Sequence, residues 1–471
     1  MAATVAMAAT VVMAANTPDV SAVDSPRHGT LIVADWLITS GDVDPIPNAA
    51  IRVANGRVDA VGNAGDLQRQ FPTDDFVDAT GHIVAPGFVN AHVHLYGVLA
   101  HGIPIHTPPA DFWSFLRDFW WPKVENSLDT SMITAATEWV CAEMLRSGTT
   151  SFYDILEAPN ALPGILLEQK AIVDRFGLRG TLSFEATERI SAENGQQGLN
   201  ENVEAIRACR RDANSLVEAL MCVHTTFTCP PPFLRKAFEL ATEHDVLLHA
   251  HVNEGIHEGL WCEEHHGKRT LELYRDLGIA GPRFLASQCV QLSPVELQIV
   301  AETGVRCVHM PLANCEVGGG IALIPEQLAA GVTIGLGSDG YVNDFFAVMR
   351  GAFLLHKARL LDPGAMPAST VFKMATEGGA RSLGLTERTI PVGRLDLGWA
   401  ADLQIIAADF PTPATAHNLF DQIVLWRSGS HVRDVMVAGS WRLRDGIVDG
   451  VDLTRSRAVV HEQALRLWAK A

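Results

Sequence analysis

The sequence predicts an α/β fold: a (β/α)8 barrel of the TIM type with a small β-sandwich domain built from both ends of the chain. The first observation is an alternation of short apolar runs with longer helical stretches, repeated about eight times, which is typical of a parallel barrel. The second is that strand-like segments without intervening helices precede and follow this alternation. The third is a pair of histidines, one residue apart, at the end of the first alternating strand.

The predicted domains divide at the points where the alternation of strands and helices begins and ends. Its 471 residues exceed one ordinary domain, whereas a barrel takes roughly 250 residues and leaves room for a smaller domain. We predict a disordered tail at 1–29, the first β-sandwich part at 30–87, the barrel at 88–385, the second β-sandwich part at 386–453 and a closing helix at 454–471.

Composition narrows the class of partner and the compartment. The net charge of −18 disfavours nucleic acid and anionic membranes as partners. Eight cysteines without a CxxC pair indicate reduced thiols, so we expect a cytoplasmic protein. No lysine or arginine precedes Arg27, so the Ala-rich start lacks the basic region of a signal peptide. The partner expected from these features is a small molecule.

The segment that carries most chemistry is the histidine pair. His92 and His94 follow Ala85-Pro86-Gly87-Phe88 on a buried strand, and side chains two residues apart on a strand point to the same face. An apolar interior rarely tolerates two unpaired imidazoles, and a bound divalent metal removes the conflict. The pair therefore predicts a metal site.

Further ligand-type residues lie at the ends of later barrel strands, where the active sites of barrels lie. His249 and His251 close the fifth strand, Glu254 follows them, and Asp339 follows the eighth strand. Three imidazoles and one carboxylate suit Zn²⁺, Fe²⁺, Mn²⁺ or Co²⁺. None of these strand ends carries a lysine that could bridge a second metal, so one ion is predicted.

These motifs, in this order, resemble the amidohydrolase superfamily, and specifically its cytosine-deaminase-like and triazine-hydrolase (ATZ/TRZ) branch. The resemblance covers roughly residues 30–450, and an ordered series of motifs is far more specific than any one of them. The matching segments are 86–94, 147–150, 249–254, 318–321, 335–340, 374–381 and 393–403.

The resemblance implies a role for each matching position. The implied metal ligands are His92, His94, His251 and Asp339, with one divalent ion per subunit and Zn²⁺ favoured. Glu254 is implied as the proton shuttle, and Asp339 also takes part in catalysis. In addition, His224 is implied as a substrate contact. The family further implies a homo-oligomer.

One departure from the branch pattern changes the expected chemistry. Gln288 and Gln291 stand where the branch usually has histidines, and Gln288 can donate a hydrogen bond to an intermediate but cannot carry a proton. The overall pattern is most similar to the phenylurea hydrolases and the thiocarbamate (molinate) hydrolase. We therefore predict a mononuclear metal-dependent amidohydrolase, in which hydroxide generated at the metal attacks the carbonyl of a xenobiotic urea, amide or (thio)carbamate.

Two alternatives remain open at this stage. One is an aminohydrolase that deaminates a purine, pyrimidine or triazine ring, against which Gln288 argues. The other is a catalytically silent metal-binding scaffold, against which Glu254 and Asp339 argue.

An aromatic-rich loop follows the first barrel strand and predicts an apolar pocket for an aryl or alkyl substituent of the substrate. The predicted substrate contacts, besides His224, are Trp113 in this loop and Tyr153 and Arg189 near other strand ends. The loop's aromatic residues are Tyr96, Phe112, Trp113, Phe115, Phe119, Trp120 and Trp121.

Overall fold

The computed structural model describes residues 28–470. The predicted N-terminal tail therefore lies, except for its last two residues, outside the described residues. The strands are β1 (Thr30–Leu37), β2 (Ile46–Ala54), β3 (Arg57–Asn63), β4 (Asp75–Pro86), β5 (Phe88–Val93), β6 (Thr149–Leu156), β7 (Arg179–Phe184), β8 (Glu218–Ala219), β9 (Met221–Cys222), β10 (Leu248–Val252), β11 (Phe284–Gln288), β12 (Arg306–His309), β13 (Ile334–Leu336), β14 (Leu403–Ala407), β15 (Val432–Val437), β16 (Ser440–Arg444) and β17 (Ile447–Val448).

Helices follow most barrel strands. The α-helices are α1 (Ala64–Gln70), α2 (Phe112–Ser114), α3 (Thr130–Arg146), α4 (Ile165–Phe176), α5 (Ala192–Arg211), α6 (Pro231–Glu243), α7 (Ile256–His266), α8 (Thr270–Asp276), α9 (Pro294–Thr303), α10 (Pro311–Glu316), α11 (Ile324–Ala329), α12 (Phe345–Leu360), α13 (Ala368–Lys373), α14 (Gly379–Ser382), α15 (Leu419–Trp426) and α16 (Leu453–Trp468). Two segments, Phe115–Val124 and Met374–Gly378, are π-helical.

The β domain is one eight-stranded sheet in the order β17-β16-β15-β14-β4-β1-β2-β3. Strand β4 pairs in parallel with β1 and antiparallel with β14, so segments from before and after the barrel are hydrogen-bonded neighbours. Buried apolar residues such as Ile32, Ile51 and Ile405 form its core. The predicted domain built from both chain ends is confirmed.

The barrel consists of two parallel sheets, β5-β6-β7-β8 and β9-β10-β11-β12-β13. Strands β8 and β9 are separated by one residue and together form the fourth barrel strand. Isolated parallel bridges, Ala186 with Val223 and Val93 with Asp339, join the two sheets at both seams. The seams close a (β/α)8 barrel, as predicted, and bring the carboxyl ends of all eight strands to one face.

Candidate metal centre and active site

Three histidines converge at the carboxyl end of the barrel. His92 lies on β5, His94 directly after β5, and His251 on β10. One ring nitrogen from each lies within 4.8 Å of the others, and the centroids of the His92 and His251 rings are 5.0 Å apart. All three residues are buried. The alternation of side chains along both strands directs the rings inward.

Asp339, which follows β13, completes this group from the other side of the seam between β13 and β5. Its Oδ1 lies 3.5 Å from His94 Nε2, and its Oδ2 lies 3.9 Å from His92 Nε2. The backbone N–H of Asp339 donates to the carbonyl oxygen of His92 at 3.1 Å, so the same backbone contact closes the barrel and positions the carboxylate. The φ angle of Asp339 is +58°, an unusual conformation for a residue other than glycine.

The chemistry of these donors fits a divalent cation. Within residues 28–470, neither ring nitrogen of the fully buried His92 has a hydrogen-bond partner. Burial, with positive neighbours as a smaller cause, holds the pKa of His92 well below its usual value, so the ring is neutral as a metal ligand must be. Nδ1 of His94 lies 2.6 Å from the carbonyl oxygen of Ile155, which fixes Nδ1–H and leaves the Nε2 lone pair for a metal.

His249 lies beside the cluster but is committed elsewhere. Its Nδ1 is 3.2 Å from Cys222 Sγ, and its Nε2 is 3.0 Å from Ser287 Oγ. Both ring nitrogens therefore have partners within the barrel interior, which distinguishes His249 from His251.

Gln288 lies behind the carboxylate, at the end of β11. Its side-chain N–H donates to Asp339 Oδ2 at 2.8 Å, and its Oε1 accepts a hydrogen bond from Asn314. The predicted contact of Gln288 with a reaction intermediate is replaced in this geometry by a contact with Asp339, and Gln288 does not line the cavity. Because both ends of the amide are held, Gln288 fixes the orientation of the Asp339 carboxylate.

A cavity of about 380 Å³ opens above the histidines, within the size range of small-molecule sites. Glu254 and His224 line it together with His94, His251 and Asp339. Burial, followed by the nearby Asp339 carboxylate, raises the pKa of Glu254 well above its usual value. Glu254 therefore holds a proton next to the cluster more readily than an ordinary glutamate does.

His224 follows β9, and its ring is oriented by a hydrogen bond. Its Nδ1 lies 2.9 Å from Thr228 Oγ1, and its ring centroid is 5.8 Å from that of His251. Its Nε2 lies 4.0 Å from Glu185 Oε1. The ring lines the cavity, where it can contact a bound molecule.

The aromatic segment forms much of the cavity wall, although it is helical, not the loop that the sequence predicted. Trp113 stacks on His257 with ring centroids 4.0 Å apart and an interplanar angle of 6°. Two of the predicted aromatic residues, Tyr96 and Trp121, are buried and do not line the cavity. Its wall-lining aromatic residues are Phe112, Trp113, Phe115, Phe119 and Trp120.

Two predicted substrate contacts lie away from this cavity. Tyr153 is fully buried inside the barrel, and its hydroxyl lies 2.8 Å from Ser183 Oγ. The Arg189 guanidinium is only 8% exposed and forms ion pairs with Glu125 and Glu157. Neither side chain lines the cavity, because each points into the protein interior.

Glu185 is a site residue that sequence reasoning missed. It follows β7 directly, is buried, lines the cavity, and its Oε1 lies 2.7 Å from His251 Nδ1. It forms a second potential metal-binding group with His224 and His251. The signal was available, because the strand-end rule that selected His251 also selects the residue after β7.

A closed (β/α)8 barrel with histidines and an aspartate at the carboxyl ends of its strands defines a metal-dependent hydrolase of the amidohydrolase type. The amidohydrolase family matches residues 83–442. This chain therefore belongs to the amidohydrolase family, and it is a hydrolytic enzyme that acts on C–N bonds.

Similar proteins named as deaminases cover most of the chain. A 5′-deoxyadenosine deaminase of Methanothermobacter thermautotrophicus is 32% identical over 418 residues, which are 86% of this chain and 91% of that protein. A 5-methylthioadenosine/S-adenosylhomocysteine deaminase of Desulforudis audaxviator is 34% identical over 406 residues, which are 85% of this chain and 91% of that protein.

Solved structures share the fold. An adenosine deaminase from Xanthomonas campestris with bound zinc has a TM-score of 0.83 and 25% identity, covering 94% of this chain and 99% of that chain. The atrazine chlorohydrolase TrzN from Arthrobacter aurescens, with zinc, has a TM-score of 0.75 and 21% identity, covering 92% of this chain and 100% of its own. Both solved structures contain zinc, and in this chain His92, His94 and His251 form a group that could hold a metal ion.

A search of the helices within residues 28–470 found none that combines the length and the apolar character needed to cross a membrane.

Proposed function

We propose that this chain is an aminohydrolase that removes the 6-amino group of adenosine-type nucleosides. The observation that carries the proposal is the continuous similarity, over about nine-tenths of their length, to proteins named as deaminases of 5′-deoxyadenosine and methylthioadenosine. This similarity favours the ring-deaminase alternative over the urea-type reaction that the sequence predicted. Membership of a hydrolytic family argues against a silent scaffold.

The proposed ligands of the metal are His92, His94, His251 and Asp339, and the favoured ion is Zn²⁺. When bound, such an ion would lower the pKa of a water molecule. It would also place positive charge next to the reacting carbon. The histidine rings would bind it in their neutral form, which burial already favours for His92.

The protein's own side chains supply the proton transfers. Asp339 can accept a proton from the attacking water, while Gln288 keeps its Oδ2 in place. The raised pKa of Glu254 favours the protonated form of its carboxyl group. This group can deliver a proton to the purine ring or to the departing amine. His224, which also lines the cavity, can donate or accept a hydrogen bond at the leaving group.

A second candidate function is hydrolysis of a small urea, amide or (thio)carbamate, including phenylurea- or molinate-like compounds. The specific observation in its favour is Gln288, since an amide in place of the branch's usual histidine cannot transfer a proton. The aromatic wall also suits an apolar substituent.

Purified enzyme loaded with Zn²⁺ tests the two functions directly. We expect ammonia and the corresponding hypoxanthine nucleoside from adenosine, 5′-deoxyadenosine or 5′-methylthioadenosine. Release of aniline from a phenylurea, without release of ammonia from any of these nucleosides, would replace the first function by the second.

The variant Glu254→Gln tests the assigned proton transfer. The amide cannot give up a proton in this way, so we expect kcat to fall by roughly 10²–10⁴-fold while the metal content stays at the wild-type level. A matched control is Glu264→Gln, which changes an exposed glutamate on α7. Full turnover by Glu254→Gln would remove Glu254 from the mechanism.

A further inference from the structure

The cavity above the histidine cluster has an acidic wall. Within residues 28–470, carboxyl side chains line it and no lysine or arginine does. We infer that the site accepts nucleosides whose 5′ substituent is neutral overall or cationic and rejects those whose 5′ substituent carries a net negative charge, such as a phosphate; this rests on the proposed deamination. The six carboxyl-bearing residues of the wall are Glu125, Glu185, Glu254, Glu258, Glu316 and Asp339.

An anion that enters this cavity finds no lysine or arginine on its wall. A phosphate or carboxylate that leaves water must be matched by a cation or by several N–H donors, because an unpaired buried charge is costly. An ionised wall carboxylate repels the anion. A protonated one, as burial favours for Glu254 and Glu258, removes the repulsion but supplies no positive charge.

Two arginines that contact wall residues are already paired. Arg189 does not line the cavity, and its guanidinium contacts Glu125 at 3.1 Å and also pairs with Glu157. Arg117, whose guanidinium carbon lies 5.7 Å from the Trp113 ring centroid, binds both carboxylate oxygens of Asp118 at 2.6 Å. Recruiting either arginine to a substrate anion would break an existing ion pair.

One helix begins at the wall, and it carries a carboxyl group in its first turn. Helix α7 follows Gly255, a wall residue, and a helix N-terminus attracts anions. However, Glu258 lies in this first turn and lines the cavity, and its carboxyl group accepts hydrogen bonds from the backbone N–H groups of Asn253 and Thr226. The hydrogen bonds hold this acidic side chain at the end of the helix that would otherwise attract an anion.

The entrance and the metal region are acidic as well. Glu316, the exposed last residue of α10, lines the cavity, and the chain as a whole has a net charge of −18. Around the proposed metal, Asp339 and Glu185 both lie within 4 Å of histidine nitrogens of the cluster. These carboxylates offset the charge of a divalent ion, so the ion is a weak attractant for a remote 5′ anion.

Matched substrate pairs test the inference on the zinc-loaded enzyme. We expect kcat/KM for adenosine 5′-monophosphate to be lower than for adenosine by roughly 100-fold or more, because like charges in a confined site repel each other. If the enzyme hydrolyses ureas, kcat/KM for 4-ureidobenzoate should likewise be lower than for phenylurea. Calorimetric binding of inosine and inosine 5′-monophosphate supplies a readout without turnover, and inosine should bind more tightly.

The outcomes separate the inference from the function on which it rests. Equal kcat/KM for adenosine and adenosine 5′-monophosphate, or equal affinity for inosine and inosine 5′-monophosphate, overturns the inference. Neither result contradicts the proposed deamination. Hydrolysis of phenylurea without deamination overturns the proposed function, and the urea pair then decides whether anions are rejected. If the enzyme binds neither inosine nor inosine 5′-monophosphate and turns over none of the compounds, both the inference and the proposed function are contradicted.

A charge reversal at the entrance gives an internal test. We expect Glu316→Lys to raise the kcat/KM ratio of adenosine 5′-monophosphate to adenosine by roughly 5–10-fold, because it replaces repulsion by attraction at the cavity mouth. Glu302→Lys makes the same change in net charge on the exposed side of α9 and should not move the ratio. An unchanged ratio in Glu316→Lys contradicts the inference.

Discussion

Glu185 connects the candidate metal ligands to a buried group of carboxylates. Its Oε1 lies 2.7 Å from His251 Nδ1, and burial together with Glu157 raises its pKa well above the usual value. A carboxylate next to a ligating histidine fixes the orientation of the ring and increases its basicity. We therefore expect Glu185 to influence a metal held by His251 through this contact.

At this residue we expect Glu185→Gln to weaken binding of Zn²⁺ by roughly 10–100-fold, since an amide keeps the shape of the side chain but cannot become negatively charged when the cation binds. Competition with a chromophoric chelator measures the affinity without reference to activity. Glu193→Gln, on the exposed first turn of α5, is the matched control. Wild-type affinity in Glu185→Gln would show that Glu185 does not support His251.

Strand-end reasoning predicted the histidine cluster, because His92, His251 and Asp339 follow recognisable apolar runs. It could not show that Tyr153 points into the barrel, since the side chain's face depends on the exact register of β6. Nor could it show that Arg189 is neutralised, because its partners Glu125 and Glu157 follow other elements. Contacts between distant segments have no local signature.

At the scale of elements, the aromatic segment is a helical wall. Phe115–Val124 is π-helical and contains Pro122, which removes a backbone donor inside the helix. The sequence predicted a loop here because proline and bulky aromatics are poor indicators of a helix. The segment folds because its aromatic side chains pack on one another and on His257.

Truncation of this wall should weaken substrate binding more than chemistry. We expect Trp113→Ala to raise KM for 5′-methylthioadenosine by roughly 10-fold, because the indole contributes apolar area and its contact with His257 is lost. Steady-state kinetics gives the two parameters separately. Trp426→Ala, at an exposed position of α15, is the control; a fall in kcat alone would contradict a binding role.

A buried histidine pair joins β12 to α12. Nε2 of His309 lies 3.2 Å from Nε2 of His356, and both residues are buried. Burial lowers the pKa of His356 to about 4, with Arg359 as a smaller cause. The folded protein therefore holds this ring neutral at a pH where the unfolded chain, with its ordinary histidine pKa, takes up a proton.

This difference makes the fold acid-sensitive. Because the folded pKa lies below the unfolded one, the free energy of unfolding falls as pH drops below about 6.5, by about 2 kcal/mol between pH 7 and pH 5 from His356. We expect His356→Gln to show a smaller pH dependence in urea unfolding than the wild type. His461→Gln, exposed on α16, should keep the wild-type slope.

At the scale of the molecule, one ion pair fastens the barrel to the β domain. Arg179 begins barrel strand β7, and its Nε lies 2.5 Å from Oδ2 of Asp402, which is the residue before β14. Oδ1 of Asp402 accepts the backbone N–H of Ala438 at 2.7 Å. The β-rich ends were predictable from local patterning, but the pairing of β4 with β14 was not, since it depends on contacts across the whole barrel.

Removal of this charge should destabilise the whole molecule. Asp402→Asn leaves the partly buried Arg179 without its counter-charge, which costs on the order of 3 kcal/mol of unfolding free energy. We expect a lower urea midpoint, measured by near-UV circular dichroism. Asp276→Asn, in an exposed pair with Lys268, should cost less than about 1 kcal/mol; equal effects of both variants would contradict the fastening role.

The backbone contact between Asp339 and His92 also has a consequence for biosynthesis. The first and last members of the cluster lie on the two strands that form the final seam, so a growing polypeptide cannot assemble the ion-binding group until β13 has emerged from the ribosome. We therefore expect metal loading to be a late event, because nascent chains that end before Asp339 lack the complete set of proposed donors.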